Sequence, residues 1–362
     1  MEQQRGRIST TGRRTIARRT AGAVLLAGLV VLGACGSSSK SSSSADTAAA
    51  GAATTAAGGA APAVEDGKFT MGIEPWLGYG GWLVADKQGY FASEGLKQVS
   101  ISSFNTDDEI NAALVSGQLD GANIATHTAM RLKSEGTAIT VVALLDQSND
   151  ADAIIAKTDI TSVADLKGKK VAFEKGTTSD LLLNAALAKS GLTIADVEPV
   201  AVPAADVPQA LASGQVDVGV TYEPYITPFL QDNKGFASLY AAKEIPGIIS
   251  DVFVVRDEVL KSKPGQVQAL IASLGKAIDY YGTNTADAQA IITAGVGSSP
   301  GDLDLAFKGV KFYSVAEAKA LLDGDFTKTT APAVLKAAQD AGIITKPVDF
   351  TSMLDTSFVD KA

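Results

Sequence analysis

The chain has 362 residues, long enough for about two domains, and 46% of them are apolar, too many for a disordered polymer. Its net charge is −9, yet residues 1–34 carry six arginines against Glu2, so the rest holds 25 basic and 39 acidic residues and a charge of −14. A body that acidic repels phosphate, which argues against a nucleic-acid partner.

The arginine-rich start, Arg5 to Arg19, precedes an uncharged apolar run, AGAVLLAGLVVLGA, from Ala21 to Ala34. That run is short for a membrane-spanning helix and has the build of a secretory signal. Arg13-Arg14 fits a twin-arginine export signal or a generic basic leader equally well. The run ends in LGAC, Leu32 to Cys35, which resembles the lipobox of bacterial lipoproteins. That resemblance implies lipidation of Cys35, an extracytoplasmic location and a lipid as the membrane anchor. Cys35 is the only cysteine, so neither an internal disulfide nor a cysteine metal site is expected. Residues 35–67, rich in Ser, Ala, Gly and Thr, read as a flexible tether, with the folded part beginning at Lys68.

From there strands and helices alternate. KFTMGI predicts a strand and 80–88 a helix. KQVSISSF is a strand, 107–116 a helix, GANI a short strand, 126–135 a helix and AITVVALL a strand. After Asp150 the rhythm resumes. DLKGKKVAF ends in a strand, TSDLLLNAALAKSG is a helix stopped at Gly191, VEPVAV is a strand, 205–213 a helix and VDVGV a strand. The last third reads as helices over 264–282, 285–294, 315–322 and 331–341. Such alternation predicts an α/β protein with mostly parallel sheets.

Ala112–His127 (AALVSGQLDGANIATH) matches Gln209–Pro224 (QALASGQVDVGVTYEP), 97 residues on. In each, a helix stops at a glycine, Gly117 or Gly214, and a short buried strand follows. Ligands of open α/β sheets sit beyond the carboxyl ends of the strands. The loops there are NIATH (123–127) and VTYEP (220–224). Two similar lobes offering those ends to each other would form a hinged clamp around something small.

EPWLGYGGWLVADKQGYFASEGL, INAALVSGQLDGA, VADLKGKKVAFEKGTTSDLLLNAAL and ALASGQVDVGVTYEPY, with DVFVVRDEVL and KGVKFY, cover most of 68–315. Together they resemble the solute-binding proteins of ABC importers for nitrate, sulfonates, taurine and thiamine precursors. The resemblance implies a type II periplasmic-binding-protein fold: lobe 1 from 68–150 plus 251–362, lobe 2 from 151–250, and a ligand cleft between them. It also implies binding rather than catalysis, action as a monomer, and partnership with a membrane permease and its ATPase. The resemblance also implies an alternative, an enzyme of the same fold acting on a pyrimidine or similar molecule, disfavoured by the lone lipid-linked cysteine and the single histidine; a ligand-sensing lipoprotein is the third reading.

Within PWLGYGGW, Trp76 and Tyr79 are candidates for an apolar wall, and Gly78, Gly80 and Gly81 for close approach of backbone N–H groups to a ligand. Trp82 is expected in the core. A dinucleotide-binding glycine loop fails on spacing, because Leu83 stands where the third glycine belongs. Gly176, Thr177, Thr178 and Ser179 form a donor-rich helix start suited to an anion. Asn105 and, on the two repeat loops, Asn123, Thr126, His127, Tyr222 and Glu223 complete the candidate set, with Asp251 at the return crossing. Asp107 and Asp108 read as helix-start residues. No metal or cofactor is expected. The carboxylates Glu74, Glu174, Glu223 and Asp251, against Lys175 alone, disfavour a bare anion. A taurine-like zwitterion is favoured, its sulfonate on the helix-start amides and its ammonium on Glu223 or Asp251. A cation or a neutral ring against Trp76 stays open.

Overall fold

The computed structural model describes residues 62–299 and 301–362. The basic leader, the lipidation candidate Cys35 and the tether up to residue 61 lie outside the described residues. The chain first lays down β1 (Lys68–Ile73), α1 (Gly80–Lys87), α2 (Tyr90–Ser93), β2 (Gln98–Ser103), α3 (Asp107–Val115), β3 (Gly121–Ala125), α4 (Thr126–Ser134) and β4 (Ile139–Ser148). It then crosses into β5 (Asp152–Lys157), β6 (Lys170–Phe173), α5 (Thr178–Lys189), β7 (Glu198–Ala201), α6 (Val207–Ala212), β8 (Val218–Tyr222), α7 (Ile226–Asp232) and β9 (Phe236–Ala241). The return strand is β10 (Ser250–Arg256), followed by α8 (Asp257–Ser262), α9 (Pro264–Thr283), α10 (Thr285–Gly295), β11 (Val310–Phe312), α11 (Val315–Asp323) and α12 (Ala331–Asp340).

Two sheets result, ordered β11-β4-β10-β3-β1-β2 and β7-β6-β8-β5-β9. The expectation of mostly parallel sheets does not hold. β1 pairs in parallel with β2 and β3, and β6 with β7 and β8, but β10 runs antiparallel to β3 and β4, and β5 antiparallel to β8 and β9. The reversed pairings belong to the strands that carry the chain between the sheets: β4 leads into β5, and β9 into β10. Because β4 and β10 lie side by side, both crossings sit together, as a hinge requires. The crossings are tied to each other by Lys243 N–H donating to Asn149 O at 2.7 Å.

The repeat is structural. Gly117 and Gly214 both adopt left-handed φ, 82° and 72°, which glycine enters without a side-chain penalty. Behind them Gln118 N–H donates to Ala113 O (3.0 Å) and Gln215 N–H to Ala210 O (3.1 Å), the same helix stop 97 residues apart. Local caps fix other helix starts. The Thr106 hydroxyl accepts from Glu109 N–H ahead of α3, and Ser314 with Glu317 closes a reciprocal capping box ahead of α11.

Trp82, Phe69 and Phe253 are fully buried between the first sheet and α9, with Trp82 and Phe253 ring centres 5.0 Å apart. Gly80 and Gly81 let α1 lie tightly on α10 and α9: an added Cβ would come within 2.5 Å of Ile292 and 2.7 Å of Leu274. The folded part begins before Lys68. The Glu65 carboxylate accepts from Gly265 N–H (3.0 Å) and Gln266 N–H (2.8 Å), docking the end of the expected tether on the first turn of α9. α12 packs against both α4 and α5 and so touches both lobes.

Candidate functional site

Glu74, Trp76, Tyr79, Asp107, Ala125 and Asp251 from the first lobe and its hinge meet Asp152, Thr178, Tyr222 and Ile249 around one hollow. With the lobes as they stand the hollow is tight, a cavity of about 20 Å³ with room for about one water, so a solute needs the lobes to part before they close on it. The first βα turn supplies the wall. Trp76 N–H donates to Glu74 O at 2.7 Å, curling the chain into a short 3₁₀ turn, Leu77–Tyr79, ahead of α1. That curl aims Trp76 at the other lobe, where its ring meets Tyr222 edge-on with centroids 5.9 Å apart. Tyr225 stacks behind Tyr222 at 5.4 Å.

The polar ends of the wall are pinned by carboxylates. Trp76 Nε1 donates to Asp146 Oδ1 at 3.1 Å, and Tyr79 Oη donates to Asp251 Oδ1 at 2.9 Å. Asp146 and Asp251 are direct cross-strand neighbours on β4 and β10, both buried. Gly78 makes the room: a Cβ there would lie 2.2 Å from Asp146 Oδ2.

Burial and mutual repulsion keep these acids protonated beyond the usual carboxylate range. Burial above all, then the charges of Asp107 and Glu174, pushes Glu74 well up. Asp146 is raised well up by burial and then by the charge of Asp251, its cross-strand neighbour. Burial raises Asp251 to about 6, with Asp146 and the Tyr79 hydroxyl pulling the other way. Asp152 rises to about 7 from burial, partly offset by the Ser148 and Thr178 hydroxyls beside it. Asp107 rises to about 7 from burial and Glu174, with Arg131 opposing. Among the described residues, no lysine, arginine or histidine lines the hollow. Arg131 and Lys175 line a neighbouring one with Asp107, Asp108, Gly176, Thr177 and Asp180.

Of the residues singled out from the sequence, Trp76, Tyr79, Thr178, Tyr222 and Asp251 come together around the hollow. Others turn elsewhere. Gly80 faces Ile292 of α10 and brings no backbone to the hollow. Asn123 is buried with its amide spent, accepting from Trp82 Nε1 (2.6 Å) and donating to Gly72 O (2.8 Å). Thr126 donates to Ser250 O at 2.9 Å, tying the end of β3 to the start of β10. His127 is buried and held neutral, its pKa lowered to about 4 chiefly by burial. Glu223 stands ahead of α7 and caps it, accepting from Thr227 N–H (3.1 Å) and Thr227 Oγ1 (2.5 Å), so its carboxylate is engaged by its own chain. Asn105 is exposed, and its N–H donates to Glu109. Gly176 and Thr177 border the neighbouring hollow, where Thr177 Oγ1 accepts from Ser179 N–H at 3.2 Å.

Asp146 and Asp152 were missed, and Asp107 was read only as a helix-start residue. The signal for the first lay in VVALLD, an apolar strand ending in an acid, since a buried aspartate is rare without a purpose. Among the described residues, no group of three or more His, Cys, Asp or Glu is placed to hold a metal.

The chain resembles known proteins in sequence and in fold. It is 29% identical over 203 residues to a binding protein of Brucella abortus strain 2308, covering 56% of this chain and 62% of that protein's length. It is 26% identical over 201 residues to the taurine-binding periplasmic protein of Escherichia coli K12, covering 56% and 63%. Two solved structures share the fold. The alkanesulfonate-binding protein from Xanthomonas axonopodis pv. citri, bound to MOPS, matches with a TM-score of 0.68 at 19% identity, covering 82% of this chain and all of that one. The periplasmic nitrate-binding protein from Synechocystis PCC 6803 matches with 0.65 at 18%, covering 83% and 87%. The two α/β lobes thus form a periplasmic-binding-protein fold. A family model described as NMT1-like matches residues 62–295, and the chain belongs to that NMT1-like family.

Proposed function

We propose that this chain is the extracytoplasmic solute-binding component of an ABC importer, closing its two lobes on one small organic solute and presenting it to a membrane permease. The observation that carries the reading is the Trp76–Tyr222 contact: the two rings stand on different lobes and meet edge-on over a hollow built from both. A solute wedged beside them touches both lobes at once, and only such differential contact favours the closed arrangement. The relatives support the role, since those whose names state one are binding proteins for sulfonates, taurine or nitrate. Residues 68–150 with 251–362 act as one jaw and 151–250 as the other. Cys35 carries the lipid that holds the protein at the membrane, and the permease and its ATPase take over the released solute.

A thermal-shift panel of nitrate, taurine, alkanesulfonates and small amines, amidines and guanidine compounds tests this on the purified protein. One class is expected to raise the melting temperature in wild type and not in Tyr222→Ala. Stabilisation that survives Tyr222→Ala, or none from any class, contradicts the clamp.

A further inference from the structure

The sign of the charge around the hollow goes beyond that reading. Glu74, Asp107, Asp152 and Asp251 line it with no basic side chain among the described residues, and Asp146 stands behind Trp76. An acidic cluster alone says little, because carboxylates satisfied by their own fold are common. Glu74 is different. It is only 7% exposed, it borders the hollow, and its Oε1 has no hydrogen-bond partner among the described residues. A buried acceptor left open is costly to the empty protein unless something arrives to use it.

The helix start that would hold an anion is partly taken by the chain's own groups. At the start of α5, Gly176 N–H donates to Asp180 Oδ2 at 2.9 Å and Ser179 N–H to Thr177 Oγ1 at 3.2 Å. Asp152 stands beside the Thr178 hydroxyl. Carboxylates of the chain itself thus already stand at this helix start, and their charge repels a sulfonate there. Aromatic rings complete the picture, since a cation is attracted to the faces of Trp and Tyr as well as to carboxylates.

We propose that the hollow takes a small organic cation, an amine, amidine or guanidine compound whose N–H groups meet Glu74 and Asp251 and whose body lies against Trp76 and Tyr222. This rests on the solute-binding reading above, and it replaces the taurine-like zwitterion with a basic solute. A cation brings the positive charge that the buried acids lack, and its N–H donors fill the open oxygen of Glu74.

The test titrates the purified full chain at pH 7.5 with butylamine, benzamidine and methylguanidine, and in parallel with methanesulfonate, taurine and nitrate at matched ionic strength. At least one cation is expected to raise the melting temperature and the anions not to. Glu74→Gln is expected to weaken that cation at least tenfold, and Asp251→Asn likewise, while each unliganded variant melts no lower than wild type because a neutral amide of the same shape replaces an acid that burial disfavours when charged. Calorimetry in two buffers of different ionisation enthalpy is expected to show protons released on binding. A sulfonate, taurine or nitrate shift that Tyr222→Ala abolishes, with no cation shift, overturns the cation and leaves the clamp standing. Cation binding unchanged in both carboxylate variants also overturns it.

Discussion

Raising the pH from 5 to 7 should destabilise the empty protein, the reverse of the usual gain for an acidic chain leaving its acid limb. The titratable groups lining the hollow are Glu74 and Tyr79 on the first βα turn, Asp107 on α3, Asp152 on β5, Tyr222 on β8 and Asp251 on β10, with Asp146 on β4, Glu174 ahead of α5, Tyr225, and His127 and Arg131 on α4 nearby. Asp107 and Asp152 hold their protons to about pH 7 and Asp251 to about 6, whereas in the unfolded chain each has a value near 3.8. For a carboxyl raised in this way, the stabilising effect is fully present below the unfolded value and is lost as pH rises toward the folded one. At about 1.4 kcal/mol per pH unit, Asp107 and Asp152 each lose roughly 2 kcal/mol between pH 5 and 7, and Asp251 roughly 1. His127 works against them. Its folded value of about 4 lies below 6.5, so stability returns as pH climbs through that interval, by roughly 2 kcal/mol over the same range. The net loss is on the order of 3 kcal/mol, or a melting temperature lower by roughly 6 °C at pH 7 than at pH 5. Thermal unfolding of the unliganded protein at half-unit steps measures it, with Asp152→Asn expected to flatten the fall. A stability that is level or rising from pH 5 to 7 refutes the picture of uncompensated buried acids.

Three further outcomes separate site from scaffold. Gly80→Ala should cost about 1–3 kcal/mol by forcing Ile292 aside, yet leave solute affinity within twofold, as denaturant melts and titration would show. Glu223→Gln should cost about 1 kcal/mol through the weakened cap of α7 and should not alter solute affinity; a tenfold loss would return Glu223 to the ligand. Cys35→Ala should shift the protein from the membrane to the soluble fraction while solute binding by the purified protein is unchanged.

Much of the frame was legible because local rules agree with the fold. The glycine stops at 117 and 214 mark where helices end, so the 97-residue repeat carried over to three dimensions with its hydrogen bonds. The strands that were not foreseen, β5, β9, β10 and β11, all pair antiparallel with partners far along the chain. Nothing local distinguishes a crossing strand such as DAIIAK from a loop-bounded apolar run. At the site, Trp76, Tyr79, Tyr222 and Asp251 were legible as aromatics and an acid at βα loops or the crossing. Asn123 and Glu223 were misread because their types suit a ligand and their partners do not show in sequence. Trp82 lies 41 residues from Asn123 and claims its amide, while Thr227 lies one helical turn from Glu223 and claims its carboxylate. The charge of the hollow was half visible: Glu74 and Asp251 were counted, but Asp146 and Asp152 join them only when β4 and β5 converge at the hinge.

The most direct check of the clamp is a crystal structure of the protein with the most strongly stabilising solute from the panel. The account predicts one solute between Trp76 and Tyr222, within hydrogen-bonding distance of Glu74 and Asp251 and in contact with both lobes. A solute held by one lobe alone, or seated at the Arg131–Lys175 hollow with the Trp76–Tyr222 space unused, would contradict it.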